Sequence, residues 1–139
     1  MKHHNTLESI IARSIPVTES GCWLWLGSTK AKGYGNVNFN GKAWKVHRIV
    51  YELMRGPIPT GFTIDHLCRV RCCINPDHLE PVTNKVNVLR GMGITAVNAK
   101  KTVCPYGHPY VEENIYRNIY NERECLTCKR ARDIGRHRP

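Results

Sequence analysis

The chain has 139 residues, with 21 Lys and Arg against 11 Asp and Glu and a net charge of +10. That length allows one domain, or a small domain with an appended module, and the charge points to a polyanionic partner, nucleic acid first. No apolar run approaches the ~20 residues that span a bilayer, and the polar first 16 residues lack the apolar core of a signal peptide, so neither a membrane protein nor a secreted one is expected and the cytoplasm is the expected place. Aromatic residues are 8% of the chain, so its modest core needs extra staples. In a reduced compartment the seven cysteines read as metal ligands rather than disulfides.

Residues 1–17 are expected to form a short helix, with Leu7, Ile10, Ile11 and Ile15 at near-helical spacing and Pro16 ending it. It either packs on the core or helps a dimer form, and His3 and His4 ahead of it are metal ligands or simply solvated. Residues 18–46 read as antiparallel strands. Residues 22–26 form one strand and 29–35 a turn rich in Gly and Lys. The alternation of 34–39 and the Asn40-Gly41 pair then give a hairpin completed by 42–46. Its lysines, Lys30, Lys32, Lys42 and Lys45, either lie against DNA, with Tyr34 touching sugar or base, or are solvated charges on a plain scaffold.

Residues 47–55 read as a helix that buries Ile49, Val50, Leu53 and Met54, stopped by Gly56-Pro57. Arg48 and Arg55 on it contact phosphate or are ordinary exposed charges. A strand around Phe62 and Ile64 then ends on Asp65-His66. A loop with Cys68, Cys72 and Cys73 follows, then a second extended run over 75–79. Thr83 is the expected N-cap of a short helix with Val82, Val86 and Leu89 on one face, Asn84 and Asn87 along it, and Gly91 as its stop. The cysteine loop has little core of its own. A structural Zn²⁺ held by Cys68, Cys73 and His78, with His47 as fourth ligand, would fix its shape. A buried His47 bonded to a backbone carbonyl is the alternative, and Cys22 or Cys72 would then serve.

Residues 92–103 read as a linker poor in helix. Beyond it, Cys104-x3-His108 and Cys125-x2-Cys128 flank a hairpin over 110–123 with Asn121 at its turn. Zn²⁺ takes four tetrahedral N and S ligands, and this spacing supplies them. A redox Cys-x2-Cys would leave Cys104 and His108 unexplained. Lys129, Arg130 and Arg132, with Arg136, His137 and Arg138, make a basic tail suited to phosphate or a solvated, disordered end.

The run TIDHLCRVRCCINPDHLEPVTNKVNVLR, with HRIVYELMRGPIPTGFTIDH leading into it, resembles the ββα-metal (HNH) nucleases, and most of all the phage-type HNH homing endonucleases. The likeness covers roughly residues 23–91. It implies an α+β fold with a ββα-metal core over 61–91, inside a nuclease domain of residues 1–92 that has an N-terminal β-hairpin and helix. A small zinc-stapled module would then occupy 93–139. It also implies that Asp65 is a metal ligand, His66 the general base, and Asn87 the helix residue completing the metal site. His78 stands where many relatives have Asn, which makes the motif His-His-Asn. A literal reading puts Asn75 in the middle and His78 last, but the third residue must project from the helix and His78 precedes it.

The implied chemistry is DNA phosphodiester hydrolysis with one Mg²⁺ or Mn²⁺ and one or two structural Zn²⁺. A neutral imidazole with a pKa near ~6.5 can take the proton from water. A hard divalent ion held by Asp65 and the Asn87 amide oxygen can bridge the scissile phosphate and the leaving oxygen. Lys30, Lys32, Lys45, Arg48, Arg69, Arg71, Arg90, Lys129, Arg130 and Arg132 are the expected DNA contacts. The alternative is a zinc-dependent DNA-binding module that cuts nothing, but binding alone needs no general base. Monomer or homodimer, nick or double-strand break, and homing, restriction or DNA packaging all stay open.

Overall fold

Among the described residues, 5–136 of the computed structural model, the strands pair as four two-stranded antiparallel hairpins. His3, His4, His137 and Arg138 lie outside the described residues. The chain is α+β and divides into two units, Met1–Asn87 and Val88–Pro139. No helix among the described residues is long and apolar enough to cross a membrane.

In the first unit, α1 (Leu7–Ile11) is capped by Thr6, whose hydroxyl accepts from the Ser9 amide while Ser9 Oγ accepts from the Thr6 amide. The expected longer helix stops there. Residues before a proline are pushed to extended geometry, so Ser14–Pro16 becomes β1 and pairs with β2 (Trp23–Trp25), Ser14 opposite Trp25. β3 (Asn36–Phe39) and β4 (Lys42–Lys45) form the expected hairpin, with Asn40 at φ 50° and Gly41 at φ 78° in its turn.

Helix α2 (Val46–Arg55) buries Val46, Ile49 and Val50 against Ile10, Trp25, Val37 and Ile74, with Leu7, Trp23, Phe39 and Trp44 packed around them. Leu53 and Met54, expected in this core, are 47% and 43% exposed, because the last turn of α2 extends past the cluster. Gly35 packs against this core: a Cβ there would lie 2.5 Å from Trp25 Cδ1 and 2.6 Å from Val46 Cγ1, so only glycine fits.

Strands β5 (Phe62–His66) and β6 (Leu79–Thr83) pair with His66 opposite Leu79 and Asp65 opposite Glu80. The second extended run therefore starts at Leu79. Ahead of it Pro76–His78 form a 3₁₀ turn, capped by Asn75 Oδ1, which accepts from the Asp77 amide. Helix α3 (Asn84–Arg90) follows, with Thr83 Oγ1 accepting from the Val86 amide at 3.4 Å as its cap. The expected apolar face of α3 is shallow: Val86 is 37% exposed and no residue of the helix is fully buried.

In the second unit, helix α4 (Ile94–Lys100) fills most of the stretch expected to be poor in helix, and Ala96 is buried. Gly91 and Gly93 give that stretch the look of a linker, but no proline or glycine lies between Ile94 and Lys100. β7 (Ile115–Arg117) and β8 (Arg123–Cys125) make the expected hairpin, with Asn121 at φ 60° near its turn. The basic tail is helix α5 (Leu126–Arg136). Asn114 Oδ1 caps it, accepting from the Thr127 amide at 3.0 Å and the Thr127 hydroxyl at 2.8 Å.

Candidate active site and metal centres

Asp65 and His66 sit at the end of β5, 3% and 6% exposed. His66 is held by its Nε2, which lies 3.2 Å from the Cys73 carbonyl. A carbonyl only accepts, so Nε2 carries the proton and Nδ1 keeps its lone pair. Burial lowers the His66 pKa below its ordinary value, against the opposing pull of the Cys73 carbonyl and the Asp65 charge, so the ring is neutral at neutral pH. The Asp65 carboxylate accepts from Arg69 at 2.7 Å. Asn87 lies half-buried on α3, and Asn84 opens that helix at an exposed position.

The loop between β5 and β6 is stitched to β2. The Trp25 amide donates to the Cys72 carbonyl at 2.9 Å, the Ile74 amide donates to the Trp23 carbonyl at 2.9 Å, and Leu24 bridges Cys73. This ladder brings Cys22, just before β2, to the cysteine loop, where Cys22, Cys68, Cys73 and His78 point their donor atoms within 4.8 Å of one another. The expected fourth ligand, His47, is elsewhere, in the first turn of α2 beside His66. Cys22 takes its place. Cys72, in the turn just ahead of Cys73, is outside the quartet. Asn75 is 7% exposed, and its amide donates to the Gly21 carbonyl at 2.6 Å. That bond and the capped 3₁₀ turn occupy it, and they anchor the chain next to Cys22.

A second quartet, Cys104, His108, Cys125 and Cys128, forms in the second unit, its donor atoms also within 4.8 Å of one another. Cys104 and His108 close a tight turn, with the Cys104 amide donating to the His108 carbonyl at 2.9 Å, while Cys125 ends β8 and Cys128 lies in the first turn of α5. A tetrahedral ion about 2.3 Å from sulfur and about 2.0 Å from nitrogen spaces S from N by about 3.5 Å and S from S by about 3.8 Å. In the first quartet His78 Nδ1 is 3.5 Å from Cys22 Sγ and 3.6 Å from Cys73 Sγ. In the second, His108 Nδ1 is 3.4 Å from Cys104 Sγ, and Cys104 Sγ is 3.7 Å from Cys128 Sγ. Both sets fit one metal ion each. All seven cysteines are free of disulfides, and burial pushes the Cys73 thiol up to about 12, a proton that a bound cation would displace.

The expected DNA contacts divide by environment. Lys30, Lys32 and Arg71 are exposed, with Arg71 donating to the Lys32 carbonyl at 3.1 Å, and Arg48 is half-buried on α2. Lys45 and Arg71 flank the Tyr34 ring at 4.9 and 5.7 Å from its centroid. Arg90 is exposed in the last turn of α3. On α5 Lys129 pairs with Asp133 at 3.1 Å and Arg132 with Glu124 at 3.0 Å, while Arg130 is exposed.

Residues 45–89 match the model of the HNH endonuclease family. That segment, which is similar to that family, contains Asp65, His66, His78 and Asn87. The chain is 43% identical over 82 residues to Protein 2.8 of Escherichia phage T7, an overlap of 58% of this chain and 55% of that protein. It is 42% identical over 66 residues to Protein 7.7 of the same phage, covering 48% of this chain and 51% of that one. The gene 5.3 protein of Enterobacteria phage T3 is 39% identical over 49 residues, 35% of this chain and 48% of the relative. The chain thus spans about half the length of the curated relatives it matches. No solved structure matches it.

Proposed function

We propose that the protein is a metal-dependent DNA endonuclease that hydrolyses phosphodiester bonds with His66 as general base. The observation that carries this reading is the bond from His66 Nε2 to the Cys73 carbonyl, which leaves a neutral Nδ1 as a fixed proton acceptor beside a buried carboxylate. His66 takes the proton of the attacking water, and Asp65 and Asn87 would supply oxygen ligands to one Mg²⁺ or Mn²⁺. When bound, that ion neutralises charge on the phosphate and steadies the leaving oxygen. The residues suit it: Asp65 already holds a cation, the Arg69 guanidinium, whose side chain is 45% exposed. Carboxylate and amide oxygens are the donors a hard ion prefers.

Both quartets are read as structural Zn²⁺ sites, since three thiolates and one imidazole favour zinc over hard ions. DNA is the substrate, drawn in by the net charge of +10, and the cytoplasm of a phage-infected bacterium is the setting. The test is nicking of supercoiled plasmid by zinc-loaded protein with Mg²⁺ or Mn²⁺, with zinc measured before and after brief EDTA treatment. Cleavage should need the added ion while the zinc stays bound. Tight binding without cleavage under every metal condition would leave a DNA-binding module that does not cut.

A further inference from the structure

His47 is a buried titratable group that neither quartet uses. It is 3% exposed, and its Nδ1 is buried with no hydrogen-bond partner among the described residues. Its ring centroid lies 4.7 Å from that of His66 at an interplanar angle of 69°, edge to face. Tyr34 closes the group, 5.6 Å from His47 and 5.8 Å from His66. On the reading of His66 as general base, we propose that His47 is a positioning residue, its ring holding the His66 imidazole with Nε2 on the Cys73 carbonyl and Nδ1 free to accept.

The need for such a residue follows from the histidine side chain itself. Rotation about its Cβ–Cγ bond has broad, two-fold preferences, and one hydrogen bond to a carbonyl leaves the ring free to tip or flip. A second ring fixed against it removes that freedom. His47 is well placed to be rigid, because it follows Val46, which is fully buried, and precedes Ile49 and Val50 in the core cluster. The ring also stays neutral. An imidazolium needs acceptors for both N–H groups, and Nδ1 has none among the described residues. Burial first, then the nearby His66, Lys45 and Arg48, pulls its pKa down to about 3. His47 therefore puts no second positive charge beside His66 when His66 takes a proton, and it does not compete for that proton.

The test combines ring ¹⁵N–¹H spectra with single-turnover plasmid cleavage on the zinc-loaded protein, for wild type, His47→Ala and His47→Phe. Wild type should show His66 as the Nε2–H tautomer alone. His47→Phe keeps a ring edge and should keep both the tautomer and most of the cleavage rate. His47→Ala should give mixed tautomers and lower the rate by about 10- to 100-fold, with unchanged affinity for DNA. If His47→Ala unfolds the first unit, His47→Leu, which fills volume without a ring, takes its place with the same expectation. A single tautomer and full rate in the ring-less variant would overturn the proposal, as would a loss in His47→Phe as large as in His47→Ala. If wild type does not cut DNA at all, the nuclease reading fails, and the tautomer spectra still decide the role of His47.

Discussion

Cys73 holds His66 with its backbone and joins a metal quartet with its side chain: its carbonyl lies 3.2 Å from His66 Nε2, and its Sγ 3.6 Å from His78 Nδ1. An ion that would close the loop and the ring that would take the proton therefore share one residue. Loss of the loop metal should let the Cys73 carbonyl drift and free the His66 ring, though no quartet residue needs to touch DNA.

Metal content should follow from this. Protein purified without added metal is expected to carry up to two zinc per chain. Cys22→Ser should remove one, lower the melting temperature and depress cleavage, whereas Cys125→Ser should remove one and leave the His66 ring resonances in place. Zinc-free protein with disulfide-linked cysteines would sink this reading.

The three catalytic candidates should separate cleanly. His66→Ala is expected to cost ~10²–10⁴-fold in rate with DNA affinity and zinc content near wild type. Asp65→Ala and Asn87→Ala should weaken the response to Mg²⁺ and be partly rescued by excess Mn²⁺. His78→Ala should lose zinc and melt earlier; if it stays folded and zinc-loaded while cleavage alone disappears, His78 belongs to the catalytic centre and Asn87 does not.

Arg69 competes with any ion at Asp65. A partly exposed ion pair of this kind contributes roughly 0.2–1 kcal/mol, so Arg69→Gln should lower the Mg²⁺ concentration for half-maximal cleavage by up to about fivefold. A higher Mg²⁺ requirement in Arg69→Gln would show that Arg69 helps bind the substrate and does not merely occupy the carboxylate.

Stability should depend on pH through His47 and His66. Both have folded pKa values below the ordinary 6.5, about 3 for His47, so the unfolded chain binds more protons between the two. Stability is then full above about pH 6.5 and falls as pH drops toward 3. His47→Phe removes one of these groups, so its melting temperature should fall less than that of wild type between pH 6.5 and pH 5, measured with zinc content monitored. Parallel curves would mean that His47 contributes nothing to the acid loss.

The charges on α5 should appear in the salt dependence of DNA binding. Replacing Lys129, Arg130 and Arg132 by Gln removes three cations, which at about 0.9 per phosphate contact lowers the log–log slope by up to about 2.7. An unchanged slope would mean that these three side chains of α5 make no phosphate contacts.

What could be read from sequence was what is local. Asp65-His66 are adjacent, the Asn40-Gly41 turn is two residues, and Cys125-x2-Cys128 lies at the junction of β8 and α5. Cys22 was harder, because 46 to 56 residues separate it from its partners and only the β2 ladder brings it to them. The same distance made His47, nearer in sequence to the cysteine loop, look like the fourth ligand. Helix α5 resembled a loose basic tail because its cap, Asn114, sits 12 residues ahead of Leu126, outside any local window. Leu53 and Met54 follow the helical period of the core face, and periodicity carries no information on where the core ends.

The ladder from Trp23 and Trp25 to Cys72 and Ile74 also sets the smallest portable piece of this site. The stretch that carries the family resemblance in its own right, residues 45–89, lacks Cys22 for its metal, Tyr34 for its aromatic wall and both tryptophans that fasten its loop. Grafted alone into another protein, it would bring the acid and the imidazole without the scaffold that aims them. A transplant has to begin upstream of β1, so that β2, with Cys22 just ahead of it, travels with the loop it fastens.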